Sequence, residues 1–554
     1  MKKQNKDYPN LLCFLEEKTQ SMKNSIALGL NTKVGWKELT YSGINILSKN
    51  IAGYLVEIGV QKGDRVSIIS ESSVEWAPVL FASVLAGSTL VPIDIKLTIY
   101  EMKSILSNCM PKVLLVSNKF IEHAQKLKEE IISIEEIIVI NETSAHKEYK
   151  TIYELKTASR AIWRHRGLNK TGLIIYTSGT TGNPKGVEIT YKNMLSQVKG
   201  ISKCFPLKRD EKLLSILPMN HLFELSVGFL TFLNLGVTIY YPQNLKPEHI
   251  FELLREKQIS FMVVVPAFLK LIKTEIESDL NKQSDLYKFF FKVRYAIAKY
   301  IPSFQLRRLM FHNITKKLGG KFKGCISGGA PLDLKVGDFI SRIGIHVYEG
   351  YGLSEASPVV SMSTKKYNKK GYVGKAIEGV TIRIDEETGE LMVQGDNVMK
   401  GYYNQPELTA EVVENGWLHT GDIAEIDSEG FLKITGRIKN MIVLSGGKKV
   451  FPEEVEAVIE KSPILQEVCV VGGIKKGGQK DGTEYVVAVV VPKAEVFEQE
   501  GDNSEKAVYS EVMKLAQRLA TYKRPSRVVV LKTPLPRTAT SKIKRKEVKK
   551  MIDE

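Results

Sequence analysis

A chain of 554 residues, 43% of them hydrophobic and 25% charged, is too long for one ordinary core and typical in composition of a globular enzyme. Its five cysteines (Cys13, Cys109, Cys204, Cys325 and Cys469) include no CxxC pair, which argues against a disulfide framework or a zinc site and fits a reducing, cytoplasmic compartment. The net charge of +17 is concentrated in two blocks: residues 286–324 hold ten Lys/Arg and no acid, and residues 521–554 hold eleven against three acids. Such blocks attract polyanionic cofactors, anionic lipid or nucleic acid. Without zinc-finger spacing or an RNP-like aromatic signature, nucleic acid is not expected as a partner.

The opening MKKQNKDYPN is basic, but no apolar run follows it that would serve as a secretory signal. Next come RVSIIS, the helix-like SVEWAPVLFASVLAG, TLVPI, a helix from Ile99 and the strand KVLLVS. This alternation predicts layered α/β structure with mainly parallel strands. The uncharged run 225–245 has the length of a membrane span, but Ser226, Thr231, Asn234, Gly236, Pro242 and Gln243 interrupt it. It reads as a buried helix, a Gly bend and the strand VTIYY. In the first basic block a helix would put Phe290, Val293, Ile297 and Ile301 on one side, with Lys288, Lys292 and Lys299 elsewhere. That pattern suits a helix lying on an anionic bilayer, and equally a surface helix whose lysines snorkel over core-facing aromatics.

Between about residues 380 and 436 the texture changes to short strands with tight turns, ETGE and DSEG, read as hairpins. A new unit then starts, with Pro452 as the first residue of the helix EEVEAVIE, strands at VCVVGG and YVVAVVVP, a helix near 504–519 and the strand RVVVL. The expected fold class is therefore α/β. A large N-terminal domain of layered α/β subdomains with a small β subdomain would occupy residues 1–437, and a small α+β domain residues 438–554.

The densest chemical signal is YTSGTTGNPKGV at 176–187, where a strand runs into three glycines, hydroxyl side chains and Lys185. Glycines let backbone N–H groups converge on phosphate oxygens, hydroxyls add donors, and the lysine adds positive charge. A Walker A pattern does not fit the string. It resembles instead the phosphate loop of the adenylate-forming superfamily of acyl-CoA synthetases, luciferases and nonribosomal adenylation domains. The resemblance continues in order along nearly the whole chain. It implies an ATP site in which Thr177, Ser178, Gly179, Thr180, Thr181, Gly182 and Lys185 hold phosphates. SGGAPL at 327–332 is similar to the family's adenine slot, with Gly328, Gly329 and Ala330 against the base. YEGYGLSEASP from Tyr348 supplies Gly350, Tyr351 for stacking, Gly352, Ser354, and Glu355 as a magnesium ligand together with Thr177. HTGD ends on Asp422, the ribose carboxylate, and Arg437 in GRIKN reaches ribose or phosphate.

The same resemblance implies a mobile C-terminal domain that swings at the hinge Lys439 between two half-reactions. Lys542 in LPRTATSKIKR would serve adenylation, and Ser445, Gly446, Gly447 and Lys448 in SGGKKVFPEE the thiol step. These residue types suit the chemistry. A carboxylate attacking the α-phosphate brings two anions together, so magnesium and lysines must offset the repulsion and stabilise the transition state. The chain departs from the family pattern twice. Ser354 replaces the more usual threonine and keeps the hydroxyl, whereas Ser541 stands before Lys542 where glycine is usual and would be strained at a positive φ.

LPMNHLFELSVGFLTFLNLG from Leu217 resembles the segment that places a histidine, here His221, beside the substrate carboxylate and then lines an acyl tunnel. Phe229, Phe232 and Leu233 would line that tunnel or fill the core. At ~0.8 kcal/mol per methylene, a chain of about fourteen CH₂ groups gains ~11 kcal/mol from burial, before ordering costs. The expected substrate is a medium- to long-chain fatty acid, with ATP, Mg²⁺ and CoA as cofactors. An acyl-carrier protein remains an open alternative acceptor. So do an aryl-acid ligase, an amino-acid ligase using Glu224, and a non-catalytic nucleotide or lipid sensor. The expected location is cytoplasmic, peripheral at the inner face of the membrane.

Overall fold

The computed structural model describes residues 8–156, 166–177, 184–205, 207, 210–444, 448–474, 484–500, 503–537 and 543–553. The chain forms two compact units, 1–382 with 393–418, and 383–392 with 419–554.

In the first unit the βα alternation builds two sheets. The strand KVLLVS appears as Val113–Val116, RVSIIS as Arg65–Ile69 and TLVPI as Thr89–Pro92, all parallel neighbours. Thr171–Thr177 runs parallel to Thr89–Pro92, and Lys185–Thr190 pairs back against it. The intervening helix Ile99–Cys109 starts where Thr98 and Glu101 form a reciprocal capping box. Trp76–Ala86 is buried along its whole length, so it shows apolar residues on every side rather than one stripe.

Among the described residues a second sheet has nine strands. Its centre carries Lys212–Ser215, Phe261–Val264, Gly324–Ser327 and His346–Gly352 in parallel register. All four run in the same direction, so their C-terminal ends collect on one edge, the usual place for a ligand in an open α/β sheet.

The run 225–245 is buried, as expected, but its first part is a π-helix, Glu224–Thr231, continued by the short α-helix Phe232–Leu235. Two side chains account for the wider turn. Thr231 donates its hydroxyl to the Ser226 carbonyl at 2.7 Å, and Gly228 leaves room for the Glu224 carboxylate, which a Cβ at that position would strike. Gly236 then takes φ +76 and the strand Thr238–Tyr241 follows. No helix among the described residues is long and apolar enough to cross a membrane.

The expected amphipathic helix of the basic block is Asp285–Ala298. It stops before Ile301, which therefore does not share the helix face of Phe290, Val293 and Ile297. Ala298 is its buried last residue, and the chain turns at residues 299–301 towards Pro302.

In the second unit, strands Leu465–Ile474, Glu484–Pro492 and Arg527–Val530 form a sheet with one apolar cluster on each face. Helices Pro452–Ile459 and Ser504–Ala516 cover one side, and Arg545–Asp553 packs on the other through Val548 and Ile552. Pro452 is the first helical residue, where its missing N–H costs nothing. Arg545 donates to Glu456 and to the Val470 carbonyl, at 2.7 Å for the latter, fixing the start of the last helix against the helix Pro452–Ile459.

Candidate functional site

Thr177 ends one strand and Lys185 begins the next, and the two face each other in antiparallel register. Residues 178–183 between them, including Ser178, Gly179, Thr180, Thr181 and Gly182, lie outside the described residues. The register alone brings Thr177 and Lys185 to the same end of the strand pair.

The short strand Gly401–Tyr402 pairs with Lys185–Thr190 on its other side, Tyr402 opposite Val187. This carries Tyr402 between two of the predicted residues. The Lys185 ammonium lies 5.8 Å from the Tyr402 ring centroid, and the Tyr402 hydroxyl donates to Glu355 Oε1 at 2.8 Å. Burial and the Glu355 carboxylate both push the Tyr402 phenol upward, so it stays a donor throughout the physiological range. Glu355 itself sits in the turn Ser354–Ala356, pinned where the Met399 N–H donates to its carbonyl at 2.8 Å. Sequence reading missed Tyr402. Its position depends on pairing with the distant strand Lys185–Thr190 and on a side-chain hydrogen bond to a residue 47 positions away, for which the motif string carries no signal.

Next to this cluster the ends of two parallel strands form a flat edge. Gly324–Ser327 and His346–Gly352 pair with Ser327 opposite Glu349, so Gly328, Gly329 and Ala330 leave one strand beside Gly350, Tyr351 and Gly352 on the other. Gly328 is buried, and a Cβ there would meet the Phe223 ring at 2.9 Å, while Gly329 takes φ +83. A side chain at either position would disturb the edge, consistent with a slot for a planar group.

His221 follows Lys212–Ser215 in a turn closed by its N–H to the Pro218 carbonyl, and its Nε2 lies 3.9 Å from Asp94 Oδ2. Phe229, Phe232 and Leu233 are fully buried in the main core cluster. Glu224 is fully buried too, and accepts from the Ser215 hydroxyl at 2.5 Å. Burial pushes its carboxyl up to about 8, with the Ser215 hydrogen bond acting weakly in the opposite direction.

A raised carboxyl favours the fold where it is protonated. Its contribution is complete below the ordinary value of 4.5 and is lost as pH rises through about 8. Glu224→Gln keeps the shape and an acceptor for Ser215 without the ionisation. The wild type is expected to lose ~2–4 kcal/mol relative to this variant between pH 5 and pH 8.5. Urea unfolding at the two pH values checks this; parallel changes in both proteins would refute it.

In the second unit, Asp422 and Arg437 are cross-strand partners in antiparallel register. Arg437 donates through Nε to Asp422 Oδ1 and through Nη2 to Oδ2 at 3.4 Å, a two-pronged pair with the carboxylate buried and the guanidinium half exposed. The carboxylate is thus oriented before any ligand arrives. Lys439 is exposed in the turn Ile438–Asn440. Lys448 is exposed with its ammonium 4.8 Å from the Tyr522 ring centroid. Ser445, Gly446, Gly447 and Lys542 lie outside the described residues.

For magnesium, the donor set fits an ion that arrives with its nucleotide. Glu355 offers one carboxylate, Thr177 a hydroxyl, and no cluster of three or more His, Cys, Asp or Glu suited to a metal occurs among the described residues. A cation of this kind keeps waters and substrate phosphates as its other ligands.

Known proteins are similar to this chain in sequence and fold. The AMP-binding enzyme family matches residues 15–403, and the AMP-binding enzyme C-terminal domain matches residues 454–542. The chain belongs to the AMP-binding enzyme family. It is an acid–thiol ligase of the adenylate-forming superfamily. A long-chain-fatty-acid–CoA ligase, FadD15 of Mycobacterium bovis, is 30% identical over 84% of this chain and 78% of its own length. Indoleacetate–CoA ligase of Aromatoleum aromaticum is 26% identical over 93% of this chain and 94% of its own. The solved structure of the ATP-bound RpMatB–BxBclM chimera superposes with a TM-score of 0.81 at 25% identity, covering 99% of both chains. Acids of several kinds thus occur among AMP-binding relatives, so membership by itself leaves the acid open.

Proposed function

We propose that this enzyme joins a medium- to long-chain fatty acid to AMP with release of pyrophosphate, and then transfers the acyl group to the thiol of CoA. The choice against an amino acid is carried by Glu224. It is the one acid in the segment following His221, and it is buried, bonded to Ser215 and held up to about 8, which makes it a poor ligand for a substrate ammonium. That supports an apolar acid over an amino acid. The fatty-acid–CoA ligases among the relatives support the same choice.

In this reading the adenine lies along Gly328–Ala330 with Tyr351 stacked on it, and Asp422, oriented by Arg437, accepts the ribose hydroxyls. Ser178, Gly179, Thr180, Thr181 and Gly182 donate to the phosphates and Lys185 offsets their charge. Glu355 and Thr177 would hold magnesium, which neutralises charge on the triphosphate. His221 orients the fatty carboxylate, whose oxygen attacks the α-phosphorus while the α–β bridging P–O bond breaks and pyrophosphate leaves. Lys542 offsets the repulsion between the two anions and stabilises the pentacovalent state.

The C-terminal domain, residues 438–554, then turns at Lys439, and Ser445, Gly446, Gly447 and Lys448 guide the thiol. The thiolate sulfur attacks the acyl carbon and AMP leaves. Burial raises the thiols of Cys109, Cys204 and Cys469 to about 12, which keeps these three from competing with CoA as thiolates.

Mass spectrometry of the complete reaction with palmitate tests the acceptor. Acyl-CoA is expected as the product when CoA is present. Acyl adenylate persisting with CoA, and consumed only when a phosphopantetheinylated carrier protein is added, would replace CoA as the acceptor.

A further inference from the structure

The helix Asp285–Ala298 carries two apolar stripes. Phe291 and Tyr295 pack on the core and Ala298 is buried, as one stripe of a surface helix should be. The other stripe, Leu286, Phe289, Phe290, Val293 and Ile297, faces away from the core and is 39–67% exposed. The following helix, Phe304–Met310, adds Leu306 and Leu309, with Tyr300 between the two helices. The helices are neighbours. Tyr287, Phe291 and Arg294 of the first face Leu309 and Met310 of the second across a groove of about 330 Å³. Five large aliphatic or aromatic side chains on one helix stripe, with Leu306 and Leu309 also exposed on the next helix, exceed the scattered apolar exposure normal for a soluble surface.

Charge narrows the partner. Residues 286–324 contain ten Lys/Arg and no acid. Lys292 and Arg294 form no ion pair among the described residues, and Lys299 lies over the Tyr300 ring at 5.6 Å. A second copy of this chain meeting the face by two-fold symmetry would set these cations against one another. An anionic lipid surface instead complements them, while its acyl region accepts the apolar stripe. No helix among the described residues is long and apolar enough to cross a bilayer, so the contact would be an interfacial one.

We propose that the exposed stripe of the helix Asp285–Ala298 docks the protein on an anionic phospholipid bilayer. Leu286, Phe289, Phe290, Val293 and Ile297 enter the acyl boundary, and Lys292, Arg294 and Lys299 meet the headgroup phosphates. The docking rests on the face alone and does not depend on which acid is activated.

Flotation of the full chain, without substrates, on vesicles of phosphatidylcholine or of phosphatidylcholine with phosphatidylglycerol tests it. The wild type is expected to float with the anionic vesicles and far less with the neutral ones. Phe289→Glu and Ile297→Glu, both at exposed positions, are expected to cut the bound fraction ~10-fold or more. Lys292→Glu with Lys299→Glu should do the same in a salt-dependent manner. Adenylation of a water-soluble acid should stay unchanged in all of them, showing that the fold is kept. A wild type that stays at the bottom with both vesicles, or a Phe289→Glu variant that floats as well as wild type, overturns the proposal. So does sedimentation velocity showing a vesicle-free dimer that Phe289→Glu turns into monomers, since the face would then be a self-interface.

Discussion

Lys542→Ala is expected to lower acyl-adenylate formation by roughly 10²–10³-fold while leaving thioester formation from supplied acyl adenylate intact. The asymmetry follows from where charge develops. Two anions approach in the first half-reaction, and a lysine ammonium at the reacting carboxylate lowers that barrier directly. In the second, a thiolate adds to the acyl carbon and AMP then departs, and a different part of the C-terminal domain is proposed to serve it. The chain after Lys542 is firmly anchored: Arg545 donates to Glu456 Oε2 at 2.6 Å and to the Val470 carbonyl at 2.7 Å. Loss of the lysine should therefore remove a charge without releasing the last helix. Pyrophosphate release and acyl-adenylate consumption, followed separately, check this. Equal losses in both half-reactions would mean that Lys542 serves the fold or nucleotide binding generally.

Glu355→Gln is the second large effect, with kcat expected to fall by about 10²–10³-fold at saturating ATP. Tyr402 donates to Glu355 Oε1 at 2.8 Å, and the glutamine carbonyl preserves that acceptor, so the local fold should survive. Only the negative charge that would hold magnesium disappears. Tyr402→Phe is the matching control, since it removes the hydroxyl and keeps the carboxylate. Its loss should stay within about tenfold, the range of one positioning hydrogen bond. Kinetics against magnesium concentration separate the cases. Glu355→Gln should need more magnesium for half-maximal rate, and a variant with an unchanged magnesium dependence would remove Glu355 from the metal site.

Much of this architecture was legible in the chain. The helix from Ile99 begins at a Thr98–Glu101 capping box, the helix at Pro452 begins on the proline itself, and the strands of the first half match their apolar runs. Local chemistry sets these features, so a short window suffices. What the sequence withheld is set by register. Asp422 and Arg437 lie in separate motifs, HTGD and GRIKN, yet they are hydrogen-bonded to each other because two strands place them opposite. Tyr402 joins Lys185 to Glu355 for the same kind of reason. The π-helical turn at Glu224–Thr231 reflects a glycine that makes room for a buried acid and a threonine bonded to the Ser226 carbonyl, which apolar periodicity cannot report. The helix Asp285–Ala298 shows a further limit: its sequence has two apolar stripes, and only packing tells which one faces the core.

The central claim is that this AMP-binding enzyme acts on fatty acids. Magnesium- and ATP-dependent pyrophosphate release over matched panels of fatty, aryl and amino acids tests it most directly. The account predicts a maximum among medium- to long-chain fatty acids, little release with aryl acids and none with amino acids. A maximum among aryl or amino acids would keep the ligase chemistry and contradict the acyl assignment, and release with no acid at all would contradict the account as a whole.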